Sequence, residues 1–334
     1  MSVKNLLLLV LLPAALVLQG CKPEDVVTPV TPPKPETPEP EVPGPENPSG
    51  NQAALTVCTF NIRYANTSDK YPDGSSAAWV DRCASVKKFI DTAKPDLIGL
   101  QEIRKEQSQW FASTLKDYYG FYDVSRDSAS GSSVSSAGGE GVGVLYRKDR
   151  FDVLIKDFFW LDPKTRERPA QNSDGTYGAW NGACRRVTVY VKLKDKLHGD
   201  SIVYFFPTHY DHKSSTARKN AAELMVTQMK TLCKAENLKE ADCLIVHLGD
   251  LNTTYDSAEL APLNSNMNYA RLSVDGPDKY AATFNGFGNS NSLIDHIYYG
   301  GKAVKPVKYW VDRSDYGVPF LSDHNPVLFT LEYQ

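Results

Sequence analysis

From Leu55 onward the chain alternates between short apolar runs and polar clusters. The run Leu244–Ile245–Val246 is apolar and partly β-branched, it stops at Gly249, and Asp250 and Asn252 follow directly. Such a run predicts a strand buried on both faces. Asp250 and Asn252 are two residues apart in extended chain, so their side chains point the same way and reach a sheet rim together. LTVCTF, ending at Phe60, alternates as a strand, and DLIGL over Asp96–Leu100 predicts a second buried one. Further strands are predicted over 141–146, 151–160, 186–193, 201–206, 293–299 and 326–331, and near 307–311. Helical spacing occurs at Trp79, Cys83, Val86 and Ile90, and again around Trp110, Phe111 and Leu115. Ser214 or Ser215 could cap a third helix, which buries Leu224, Met225, Met229 and Leu232. The Ser/Gly-rich stretch 125–139 reads as a long loop. Strands dominate and helices lie between some of them, which predicts a mixed α/β domain of two packed sheets with helices outside.

The first 53 residues follow neither period. Lys4 and the apolar run Leu6–Leu18 predict a signal peptide over 1–20, too short for a comfortable transmembrane helix. Leu18–Gln19–Gly20–Cys21 resembles the bacterial lipobox, with Gln19 atypical, so Cys21 is expected to carry lipid. Residues 22–53 repeat Pro among Glu, Thr and Val, the composition of a stiff, coreless linker. Residues 54–334 have globular composition with no internal break, which predicts one domain.

Charge and cysteine narrow the picture. The formal net charge is −3, part of it carried by the linker, so the domain gives no global basic signal for nucleic acid. Besides Cys21 there are Cys58, Cys83, Cys184, Cys233 and Cys243. Cys58 and Cys83 are expected on buried faces, and Cys233 and Cys243 are the best-placed pair. CxxC and CxxH spacings are absent, which argues against a zinc site.

Polar clusters recur at the strand ends: Asn61–Ile62–Arg63, Gln101–Glu102, Thr208–His209–Tyr210–Asp211–His212, Gly249–Asp250–Leu251–Asn252, Asp295–His296 and Ser322–Asp323–His324–Asn325–Pro326. Together they predict one rim assembled from distant parts of the chain. Carboxylate and amide oxygens without cysteine suit a hard cation, Mg²⁺ or Mn²⁺. Imidazoles beside carboxylates supply acid and base, so the set suits phosphoester hydrolysis. The chain has no G-x-S-x-G elbow, no Walker A loop and no H-E-x-x-H.

In this order the clusters resemble the endonuclease/exonuclease/phosphatase superfamily, which includes pancreatic-type DNase, exonuclease III-like nucleases, bacterial sphingomyelinases and inositol polyphosphate 5-phosphatases. The resemblance covers about Leu55 to Leu331. It implies a four-layered α/β sandwich, DNase I-like, with the site at one end of the two sheets. It also implies that Glu102, Asn61 and Asp323 hold the metal, and that Asp250 and Asn252 position water and phosphate. By the same resemblance His324 is the general base held by Asp295, His209 binds a phosphoryl oxygen or assists the leaving group, and Arg63 and Arg186 contact phosphate. His212, His296, His198 and His247 are expected to be structural. Tyr64, Trp180 and Tyr210 are candidates for the pocket wall.

The expected protein is therefore a metal-dependent phosphoester hydrolase, monomeric, anchored to the bacterial cell envelope by N-terminal lipid and acting on a phosphorylated substrate. Extracellular nuclease activity is one alternative. A non-catalytic phosphate- or glycan-binding surface lipoprotein is the alternative from another class.

Overall fold

Alternating burial along the strands explains the layering. In β1 (Leu55–Asn61), Leu55 and Val57 face one apolar cluster, while Cys58 and Phe60 face another. In β8 (Cys243–Asp250), Leu244, Val246 and Leu248 join the first cluster, and Cys243 and Ile245 join a third. The shared cluster is the seam between two sheets, and the other two lie under the outer helices. The computed structural model describes residues 54–235 and 237–334. The expected signal peptide 1–20, Cys21 and linker 22–53 lie outside the described residues.

The first six-stranded sheet contains β1, β2 (Leu97–Ile103), β3 (Tyr119–Ser125), β4 (Gly141–Arg147), β11 (Val304–Val311) and β12 (Val327–Tyr333), in the order β11-β12-β1-β2-β4-β3. The second contains β5 (Phe151–Trp160), β6 (Val187–Asp195), β7 (Ser201–His209), β8, β9 (Asn268–Tyr269) and β10 (Asp295–Gly301), in the order β5-β6-β7-β8-β10-β9. Helices α1 (Trp79–Ala93) and α2 (Lys105–Thr114) cover the first sheet, the short α3 (Val134–Ala137) follows β3, and α4 (Ser215–Ala235) covers the second sheet. This is the expected four-layered sandwich. At the seam, a Cβ added to Gly99 would sit 2.3 Å from Leu248 Cδ1 and 2.7 Å from Pro207 Cβ, so only glycine permits this sheet-to-sheet approach.

Polar strand ends converge because the topology is mixed. Strands β1 and β2 run parallel, as do β7 and β8, so their carboxyl ends share a rim. Strands β10 and β12 are antiparallel to β8 and β1, so their amino ends arrive at the same rim.

Several local expectations change. Tyr119–Ser125 is the edge strand β3, and the loop after it contains a short helix, Val134–Ala137, capped by Ser133. Ser214 caps α4, its Oγ accepting from Ala217 N at 3.1 Å. Met225 and Met229 are buried in α4, whereas Leu224 and Leu232 are half-buried because they flank the buried stripe. Cys83 is likewise half-exposed at the flank of the buried stripe of α1. Cys233 and Cys243 are buried with their Sγ atoms 3.4 Å apart.

Candidate active site

Strand β2 delivers Glu102 through a bulge: its register against β4 shifts between Leu100 and Ile103, and Glu102 adopts φ +62°. A bulge re-aims a side chain that would otherwise alternate with its neighbours. Arg63 and Asn252 also have positive φ, 54° and 52°. Strained backbone of this kind clusters at functional sites.

Asn61 ties the two sheets together. Its Nδ2 donates to Glu102 Oε1 and to Asp250 Oδ2, both at 3.1 Å. Its Oδ1 accepts from the Arg63 amide at 3.0 Å. Asp250 Oδ1 accepts from the Asn252 amide at 2.9 Å, and Asn252 Nδ2 donates to Tyr210 O at 3.0 Å. His209 Nε2 lies 3.5 Å and His324 Nε2 3.7 Å from Asp250 Oδ2. His324 Nδ1 meets Asp295 Oδ2 at 2.8 Å. The turn before β12 is held by Ser322, whose Oγ donates to Asn61 O at 2.8 Å. Arg63 makes a fork to Asp69 at 2.9 and 3.0 Å, and its Nη1 lies 3.7 Å from Asp323 Oδ2.

The structure thus gathers Asn61, Arg63, Glu102, His209, Asp250, Asn252, Asp295, Asp323 and His324 at one rim. Arg186 stands beside His209 across the end of the second sheet, where both line one small cavity. His296 is buried, with its ring bonded to Tyr269 OH and Thr253 O, and His247 is buried between Phe206 O and Tyr210 OH. Both are structural. The His198 ring packs on Tyr333. His212 is exposed and meets Arg186 Nη2 through Nδ1 at 3.1 Å. Tyr210 is fully buried in the outer cluster of the second sheet, so it supports the rim from behind. Tyr64 lies under the Arg63 and Arg104 guanidinium groups, and Trp180 lines a cleft beside Arg186.

Burial concentrates negative charge here. Asp250 is pushed up to about 7, chiefly by burial, and Asp323 is also raised by burial. Burial opposes the charge of His324, but the Asp295 carboxylate, with Asp250 and Asp323 behind it, outweighs it and raises the imidazole to about 10. His209 is driven the other way, first by burial and then by Arg186 and Arg126. A buried excess of carboxylate is what a bound dication relieves. Ligand atoms of Glu102, His209 and Asp250 lie within 4.8 Å of one another, as do those of Asp250, Asp295 and His324. This oxygen-rich donor set fits a hard divalent cation.

Sequence reasoning missed two neighbours of these groups. Glu140, at the start of β4, is buried and clamped by Arg126 Nη1 at 2.5 Å and Arg104 Nη2 at 3.7 Å. Its only sequence signal was a carboxylate next to a strand, hidden behind a Gly-rich loop. Phe284 was also missed; its ring centroid lies 4.8 Å from that of His324.

Paired imidazoles and carboxylates on the rim of a two-sheet sandwich define a hydrolase-type site. Residues 58–324 match the Endonuclease/Exonuclease/phosphatase family, and the chain belongs to that family of phosphoesterases. Similar solved structures come from Bacteroides. An endonuclease/exonuclease/phosphatase from Bacteroides vulgatus shares 29% identity, with 84% of this chain and 99% of that one covered and a TM-score of 0.69. The mannosyl-6-phosphatase Bt3783 of Bacteroides thetaiotaomicron shares 27% identity, with 84% and 100% covered and a TM-score of 0.70. TDP2 of D. rerio, in complex with a single-stranded DNA product, shares the fold at 17% identity, with 84% and 99% covered and a TM-score of 0.59. No curated protein matches the chain.

Proposed function

We propose that this chain is a divalent-metal-dependent phosphoester hydrolase, tethered to the bacterial envelope by lipid on Cys21. The observation that carries the hydrolytic reading is the Asp295–His324 pair at 2.8 Å, set beside the Glu102–Asn61–Asp250 network. Glu102, Asn61 and Asp323 would hold Mg²⁺ or Mn²⁺. Such an ion supplies charge neutralisation at the phosphoryl oxygens and relieves the carboxylate field that keeps His324 protonated.

The remaining work belongs to the side chains. Asp295 fixes the His324 ring through Nδ1, leaving Nε2 to take the proton of the attacking water. Asp250 and Asn252 orient water and phosphate. His209, kept neutral by burial and by arginine, can donate a hydrogen bond to a phosphoryl oxygen without repelling a cation. The mannosyl-6-phosphatase neighbour supports sugar phosphates as first substrates to try. The envelope tether rests on Leu6–Leu18 and on Cys21.

The test is a substrate panel with Mg²⁺, Mn²⁺ and Ca²⁺. It covers sugar phosphates, inositol phosphates, phospholipid, DNA and RNA. Metal-dependent turnover of at least one ester is the expected result. No turnover on any, with phosphate binding retained, would leave a phosphate-binding surface protein.

A further inference from the structure

Arg186 is 6% exposed, yet among the described residues its Nε and Nη1 have no hydrogen-bond partner, and Nη2 alone has one, His212 Nδ1. The carboxylates close by are committed elsewhere. Glu140 is clamped between Arg126 and Arg104. Asp211 accepts from the amides of Cys184, Lys213 and Ser214 at 3.2, 2.9 and 2.7 Å. A buried guanidinium with two unused donors is costly unless something binds it.

Arg186 lines a cavity of about 10 Å³ whose walls also include Arg126, Glu140, Gly141, Val142 and His209. That is room for one water-sized group. It cannot hold a second phosphate, but it can hold one oxygen. Arg126 is fixed at its edge twice, by the Glu140 carboxylate and by its own amide donating to Glu140 O at 2.8 Å. Two guanidinium groups against the one Glu140 carboxylate, with an imidazole alongside, leave a net positive lining that favours an anionic oxygen over water.

We propose that Arg186, with Arg126 steadied by Glu140, forms an oxyanion subsite for the third peripheral oxygen of a phosphate monoester, which makes the enzyme a phosphomonoesterase. This rests on the phosphoester-hydrolase reading and adds the substrate class. A diester has two non-bridging oxygens and carries a second substituent on the third position. That substituent has no room in the cavity and no charge to offer Arg186. A monoester places an unsubstituted, charged oxygen there. In the reaction, the water oxygen bonds to phosphorus, the ester P–O bond breaks, the alcohol leaves with one proton, and inorganic phosphate departs with the other.

The test uses the full chain with Mg²⁺ on 4-nitrophenyl phosphate and bis(4-nitrophenyl) phosphate. Arg186→Gln should lower kcat/KM for the monoester by about 10²-fold, the size of losing one fixed donor to phosphoryl charge. The diester rate should change less than about threefold, and Arg186→Lys should recover part of the monoester loss. Equal losses on both esters, or a wild-type preference for the diester, would overturn the proposal. Calorimetry on the metal-free protein gives a readout independent of turnover. Inorganic phosphate should bind at least about tenfold tighter than dimethyl phosphate, and Arg186→Gln should erase that difference. Equal affinities in the wild type would mean that the cavity holds water only. If no ester turns over while the binding difference stands, hydrolysis fails and the oxyanion subsite survives.

Discussion

His209 and His324 stand on either side of the same Asp250 carboxylate, at 3.5 and 3.7 Å, and both are buried. Their proton affinities nevertheless diverge. His324 belongs to the corner of β10 and β12, where Asp295, Asp250 and Asp323 hold a proton on its ring. His209 belongs to the corner of β6 and β7, where Arg186 and Arg126 reinforce burial in removing one. The lesson is that neither residue type nor nearest partner assigns acid and base here; the strands on either side do. One site therefore has an acidic half suited to a cation and a basic half suited to phosphoryl oxygen.

Removing the base should have the largest effect. His324→Ala is expected to lower kcat by about 10²–10⁴-fold. Asp295→Asn should also slow turnover, and the double variant should be far less impaired than the product of the single losses, because the two act as one unit. A strictly multiplicative double variant would separate them. The pH profile sharpens the comparison: Asp295→Asn should move the His324 limb to lower pH, while His209→Gln should leave that limb in place.

Next in size is the metal requirement. Glu102→Gln should keep the fold yet need about tenfold or more Mg²⁺ for half-maximal activity, since a neutral amide is a weaker ligand for a hard dication. Titrating activity against free Mg²⁺ reads this directly. An unchanged requirement at normal turnover would remove Glu102 from the metal site.

The smallest effect is on stability. His324 has a folded pKa above its unfolded value, so its contribution is complete below about pH 6.5 and is lost as pH rises towards about 10. Asp250 is raised as well, so the folded form holds its proton longer than the unfolded chain does. Its deprotonation costs stability as pH climbs from about 4 to about 7. Both act in one direction. The Tm of metal-free protein should fall between pH 5 and pH 9, Asp250→Asn should flatten the lower part of that slope, and Mg²⁺ should raise Tm more at pH 8 than at pH 5. Differential scanning fluorimetry across that range measures all three, and a Tm rising with pH would contradict the assigned charge states.

Most of the strands, and the residue types at their ends, were legible in the amino-acid sequence. Runs such as Leu244–Val246 and Leu97–Leu100 are buried on both faces, and that burial is written as continuous apolar sequence. Polar residues directly after such runs, or just before one as with His324, lie at a rim, so Asn61, Glu102, His209, Asp250 and His324 were legible as rim residues from position, while their roles came from the family resemblance. Strand β3 was not, because an edge strand with a partly exposed middle has no clear period. In the wall of Arg126, Glu140 and Arg186, only Arg186 was legible in the sequence, and that through the family resemblance. The wall's members lie on three separate segments, and only the pairing of β3 with β4 and the face-to-face packing of the two sheets bring them to His209. Proton preference was decided at the same level, because electrostatic fields follow distance in space and burial rather than distance along the chain.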